Sequence, residues 1–140
     1  MGQTYQSIVI DLPADRVWDA IRDFHDLSWA PNVVTGVEVV GDMPGDQVGA
    51  GRVLNGVFHE TLKEVDAGNR TFCYSIDDGP SPVSKDDVSN YIGKVKVQPA
   101  AEGGTLVEWS STWEQNDELA YEFCNGIYLA LLDDMKKSLE

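Results

Sequence analysis

The chain has 140 residues, 42% of them apolar and 24% charged, enough for one domain with a substantial core. Ten Lys+Arg against 24 Asp+Glu leave a net charge of −14, and the pI is near 4.3. This balance lacks the positive footprint that phosphate binding needs, so nucleic acid and anionic membrane surfaces are disfavoured as partners, and the excess charge reads as solubility through self-repulsion.

No stretch approaches the ~20 continuous apolar residues of a membrane span, and no signal peptide is visible. Cys73 and Cys124 do not make a disulfide framework. Free thiols in a cytoplasmic protein are the default expectation, and spacing alone leaves open one disulfide between them.

Thr4 to Leu12 is rich in β-branched residues and reads as the first strand. Pro13 suits the start of a helix, and Val17, Trp18, Ala20 and Ile21 give that helix an apolar face. Phe24 to Trp29 predicts a second short helix or turn, stopped by Pro31. Val33 to Val40 predicts the second strand, and Gly41 to Gly49 a loop. Arg52 and its neighbours form the third strand. Asn55-Gly56 is a strong hairpin signal, and Phe58 to Val65 returns as the fourth. Thr71 to Ile76 is the fifth strand, followed by a polar, Pro-containing loop from Asp77 to Asp87.

Val88 to Val97 and Thr105 to Glu114 are the last two strands. In the final one, alternation sends Val107, Trp109, Ser111 and Trp113 to one face and Glu108, Ser110, Thr112 and Glu114 to the other. The first set is expected to point inward. Tyr91, Gly93, Val95 and Val97 share the matching face of the preceding strand. Asn116 or Asp117 can cap a last helix from about 118 to 139. Its apolar face is Ala120, Phe123, Cys124, Ile127, Tyr128, Leu131 and Met135. Gly126 interrupts it, either for a close approach or merely tolerated.

The order of elements, with Pro13 to Asp19 opening the first helix, Trp29 with Pro31, Gly49 to Arg52, Glu60 with Leu62, and Gly103-Gly104-Thr105 leading to Trp109, resembles a known family over the whole chain. It is similar to the START-related, pollen-allergen-like (SRPBCC) superfamily of the polyketide cyclase/dehydrase and lipid transport type. The resemblance implies an α+β helix-grip fold: a curved seven-stranded antiparallel sheet around a long C-terminal helix, with two short helices after the first strand. It also implies a single ligand-binding domain over residues 1–140, with a cavity for hydrophobic small molecules. It does not imply one chemistry, because fold does not fix function.

Two isolated histidines, His25 and His59, have no metal-ligand spacing and read as surface or capping groups. His59 alternates with Glu60, so both cannot face inward on a regular strand. No metal and no cofactor is expected. A three-residue turn over Asn55 to Val57 would set Arg52 opposite Glu60, whereas a two-residue turn would set it opposite His59. The first register puts a charged pair at the cavity or at the sheet margin. Arg52 and Glu60 are therefore the candidate catalytic residues if there is chemistry. The expected ligand-binding set is Trp29, Arg52, Glu60, Leu62, Tyr74, Tyr91, Trp109, Trp113, Phe123, Ile127 and Leu131.

Two functions from different classes follow. One is a carrier or sensor of a hydrophobic or aromatic small molecule. The other is a cyclase- or dehydratase-type enzyme acting on an enolisable ketone. A protein-interaction module is weaker, for lack of a recognition helix. A monomer or homodimer fits either reading.

Overall fold

The computed structural model describes residues 2–140. The elements run β1 (Gly2–Ile10), α1 (Ala14–Ile21), β2 (Val37–Val40), β3 (Gly51–Leu54), β4 (Phe58–Asp66), β5 (Thr71–Asp78), β6 (Ser89–Pro99), β7 (Thr105–Glu114) and α2 (Asp117–Leu139). The strands form one seven-stranded sheet in the order β1-β7-β6-β5-β4-β3-β2. Every neighbouring pair is antiparallel. Six of these strands follow one another as neighbours, and β1 joins the last of them. This is the helix-grip arrangement, with α2 lying most closely along β1 and then β7. α1 packs against the same sheet at β6 and β7.

Alternation sorts the strand faces as expected. Val107, Trp109, Ser111 and Trp113 of β7 are buried, as are Tyr91, Gly93, Val95 and Val97 of β6. On α2, Ala120, Cys124, Tyr128, Leu131 and Met135 are buried, while Phe123 and Ile127 are half-buried. Leu132 and Asp134 are also buried, so the covered face is wider than the apolar stripe.

Only one helix follows β1, which corrects the expectation of two. Phe24 to Trp29 folds as successive turns. The His25 N–H donates to Asp23 Oδ1 (2.9 Å) and the Ser28 N–H to Asp26 Oδ1 (3.0 Å). Such side-chain turns compete directly with helical hydrogen bonding. They still deliver Phe24, Leu27 and Trp29 to the core. The second strand is shorter than expected: the Val33 and Val34 N–H groups donate to the Ala30 carbonyl and those of Thr35 and Gly36 to Asn55 Oδ1, so the ladder begins at Val37. Asn116 does precede α2, but its side chain donates to the Pro82 carbonyl (3.0 Å) instead of capping the helix. Cys73 and Cys124 are free thiols. Among the described residues, no helix is long and apolar enough to cross a membrane.

Tyr74 and Gly93 are cross-strand partners, and the ring lies over the glycine. A Cβ at position 93 would fall 2.2 Å from Tyr74 Cζ. The ring is buried and cannot swing to solvent. Gly93→Ala should therefore destabilise by roughly 3 kcal/mol, read from the midpoint of a denaturant titration. Gly126 is the opposite case: nothing lies within 4 Å of a Cβ built there. It is tolerated rather than required, and Gly126→Ala should raise stability by about 1 kcal/mol in the same titration.

Candidate functional site

The β3–β4 hairpin sets the first part of the site. Asn55 (φ 53°) and Gly56 (φ 72°) take left-handed positions, and the Val57 N–H donates to the Leu54 carbonyl (3.0 Å). The ladder resumes at Leu54 opposite Phe58, so Val57 is an extra residue and Arg52 falls opposite Glu60. Arg52 Nε lies 2.8 Å and Nη2 2.7 Å from Glu60 Oε1. Nη1 donates to the Phe24 carbonyl (2.9 Å), and the guanidinium sits 3.7 Å from the Phe24 ring centroid. Both partners are buried. Burial pushes the Glu60 carboxyl above its ordinary value, with Arg52 pulling against it and Asp77 adding to the rise.

The second part is a chain of neutral hydrogen bonds from β5, β6, β7 and α2. Trp109 Nε1 donates to Tyr74 Oη (3.0 Å), and Tyr74 Oη is 2.9 Å from Tyr128 Oη. Tyr128 Oη is 2.5 Å from Tyr91 Oη, which donates to Cys124 Sγ (3.1 Å). Burial raises all three phenols well above their usual range. It also pushes the Cys124 thiol up to about 11. At neutral pH the whole chain is uncharged, and Cys124 is not a thiolate nucleophile.

These two parts form one end of a cavity of about 50 Å³. Arg52, Glu60, Tyr74, Tyr91, Trp109 and Tyr128 supply its polar end. Apart from Asn55 and Cys124, its remaining walls are apolar, and the half-buried Val33, Val34, Phe58, Ile76, Phe123 and Ile127 mark the side toward solvent. The Phe58 and Phe123 rings stack there at 6.2 Å and 27°. Val33 and Val34 are held by two polar anchors. Asp134, buried on α2, accepts from the Asn32 N–H and Nδ2, both at 2.8 Å. Asn55 Oδ1 accepts from the Thr35 N–H (2.7 Å), and its Nδ2 donates to the Val33 carbonyl (3.0 Å).

Of the residues expected to bind ligand, Arg52, Glu60, Tyr74, Tyr91, Trp109, Phe123, Ile127 and Leu131 line this cavity. Trp29, Leu62 and Trp113 are buried but stand behind its wall. Trp29 packs on Trp109 (6.2 Å), and Trp113 stacks on Tyr91 (5.5 Å, 7°). Tyr128 and Cys124 were legible only as part of the helix's apolar stripe. Their polar role arises because tyrosines from three separate elements converge. Leu27, Val33, Val34, Leu54, Phe58, Ile76 and Val83 also line the cavity and carried no sequence signal for it. His59 is exposed, and the His25 ring N–H donates to the Gly51 carbonyl (2.9 Å), a structural tie. Among the described residues, no three His, Cys, Asp or Glu side chains are grouped to hold a metal ion.

Solved structures share this architecture. A protein of Nitrosospira multiformis is 42% identical, with a TM-score of 0.95 over 99% of this chain and 96% of that one. An uncharacterized protein of Bacillus thuringiensis is 28% identical, with a TM-score of 0.81 over 99% and 98% of the two chains. The protein XoxI of Bacillus cereus is 27% identical, with a TM-score of 0.81 over 99% and 96%. No curated protein matches. The match to a family description extends over residues 1–140. With the helix-grip sheet and the cavity beneath α2 in place, this chain belongs to the polyketide cyclase/dehydrase and lipid transport family.

Proposed function

We propose that residues 1–140 act as one binding domain that holds a hydrophobic or aromatic small molecule between the sheet and α2, as a carrier or sensor. The observation that carries this reading is an apolar-walled cavity ending in buried polar groups, the usual make-up of a small-molecule site. A volume of about 50 Å³ holds only a few waters. A ring-sized ligand therefore enters by displacing half-buried side chains such as Phe58 and Phe123. The free thiols favour a cytoplasmic setting. Native mass spectrometry of freshly purified protein tests the reading: a co-purified mass lost on denaturation supports it. Protein that carries no ligand and takes up no hydrophobic probe overturns it.

The second reading, a cyclase- or dehydratase-type enzyme, is favoured by one feature: a buried carboxyl that burial raises above its ordinary pKa, paired with Arg52 near the Tyr74 ring. Glu60 is its proton-handling residue. On either reading, Glu60→Gln should weaken binding or turnover by about tenfold or more. Glu108→Gln should leave both unchanged, because Glu108 pairs with Gln98 and Tyr5 on the other face of β7. Isothermal titration with the co-purified compound reads binding, and a product assay reads turnover. Equal behaviour of the two variants would make Glu60 purely structural.

A further inference from the structure

We propose that ligand enters this cavity between the β3–β4 hairpin and α2, through a door made by the Phe58 and Phe123 rings, and that Gly126 leaves the space into which Phe123 swings. The inference rests on the binding function proposed above and adds the route of entry and the residues that set its rate.

Size requires a wall that moves. An apolar cavity that takes up benzene measures about 150 Å³, against about 50 Å³ here. The half-buried lining side chains are the ones free to make that room, and they fall into two groups. Val33 and Val34 lie on the segment ahead of β2, and Phe58, Ile76, Phe123 and Ile127 lie on β4, β5 and α2.

The first group is bolted down. Asn32 gives its N–H and its Nδ2 to the buried Asp134, both at 2.8 Å. The Val33 and Val34 N–H groups donate to the Ala30 carbonyl (3.2 and 2.9 Å). Asn55 Oδ1 accepts from the Thr35 N–H (2.7 Å), Asn55 Nδ2 donates to the Val33 carbonyl (3.0 Å), and the Asn55 N–H donates to the Gly36 carbonyl (2.9 Å). Lifting this segment breaks several hydrogen bonds together and strips the buried Asp134 of its partners, which is costly.

The second group is held differently. Phe58 and Phe123 meet as a ring stack at 6.2 Å and 27°. A stack carries no hydrogen bond, and the rings part by rotation about side-chain bonds while both backbones stay in place. α2 is docked along β1 and β7, so the helix keeps its seat when the rings separate.

Gly126 completes the door. A helical side chain leans back over the turn before it, so a side chain at position 126 would cover the flank of Phe123. Gly126 is exposed, does not line the cavity, and has nothing within 4 Å of a Cβ built there. Phe123 therefore has an empty place beside it to turn into. The fold does not need this glycine, which separates its effect on entry from any effect on stability.

Exchange of 4-fluorotoluene, followed by fluorine NMR, tests this by reading association and dissociation rates together. Phe58→Ala and Phe123→Ala should each speed association about tenfold, the factor that loss of a ring stack returns. Gly126→Leu should slow association and dissociation by the same factor, about tenfold, and leave the affinity within about twofold, because it obstructs the path without touching the site. Its denaturation midpoint should be at or above that of wild type, because leucine is the better helix former. Asn32→Ala, which loosens the bolted segment, should leave both rates within about twofold. Gly126→Leu carries the test by itself if an alanine variant does not fold. Gly126→Leu protein that exchanges at the wild-type rate overturns the proposal. So does Asn32→Ala protein that exchanges faster than the two phenylalanine variants, and in both cases the binding function stands. If wild-type protein binds no 4-fluorotoluene, the binding function itself fails and this inference falls with it.

Discussion

Arg52→Met should destabilise the protein by about 3–5 kcal/mol, the usual cost of breaking a buried ion pair from one side. The substitution keeps much of the stem over Phe24 but removes three contacts: two to Glu60 Oε1 and one to the Phe24 carbonyl. Glu60 would then sit buried with no counter-charge and with Asp77 still raising its pKa. The double variant Arg52→Met/Glu60→Leu should recover most of the loss, because two apolar groups need no hydration replaced. The deficit also depends on pH. Burial already raises the folded Glu60 carboxyl above its ordinary 4.5, and losing Arg52 raises it further. Above the ordinary value the folded state then holds more protons than the unfolded one, so stability falls as pH rises through that window. The deficit should be smallest at acid pH, where Glu60 is protonated in both states. Denaturant titrations at several pH values measure this. A single variant as stable as wild type, or a deficit that shrinks as pH rises, would contradict the pair's role.

Trp113→Ala should cost about 3–5 kcal/mol through packing alone. Its ring is fully buried at 0% exposure and stacks on Tyr91 with an interplanar angle of 7°. It also lies over Gly2, its cross-strand partner on β1, so its loss loosens the seam that joins the first strand to the last. Tyr91 would lose its stacked support, and the hydroxyl chain that ends at Cys124 would lose its fixed geometry. Leu129→Ala, at an exposed position on α2, should stay within about 0.5 kcal/mol. Unfolding monitored by far-UV circular dichroism separates the two. A Trp113→Ala effect as small as that of Leu129→Ala would mean that the β1–β7 seam is not part of the cooperative core.

Local pattern carried a large part of the architecture. The alternation in β7 is a property of one segment, and it placed Trp109 and Trp113 on the buried face. The stripe on α2 is likewise local, and Cys124, Tyr128 and Leu131 are buried along it. The second helix failed because Asp23 and Asp26 offer carboxylates to nearby N–H groups, and pattern alone does not rank that contest. The candidate site was legible as a set of inward aromatic and charged residues. Which of them share a wall was not, since Trp29, Leu62 and Trp113 carry the same inward signal as Trp109.

The sequence by itself determined the strand faces and the long helix, because a period of 2 or 3.6 needs only neighbouring residues. The tertiary structure decided the rest. Asn55-Gly56 admits either hairpin register, and the one adopted satisfies Arg52 with Glu60 while Asn55 secures the segment that carries Val33. Tyr74, Tyr91 and Tyr128 lie on three separate elements, and only the packing of α2 over the sheet brings their hydroxyls within hydrogen-bonding distance. Asp134 reads as a polar residue near the end of a helix, yet it is buried because Asn32 satisfies it. In each case a polar group must find its partner far along the chain. That partner is set by burial, where an unpaired group is too costly to persist, and not by any local preference.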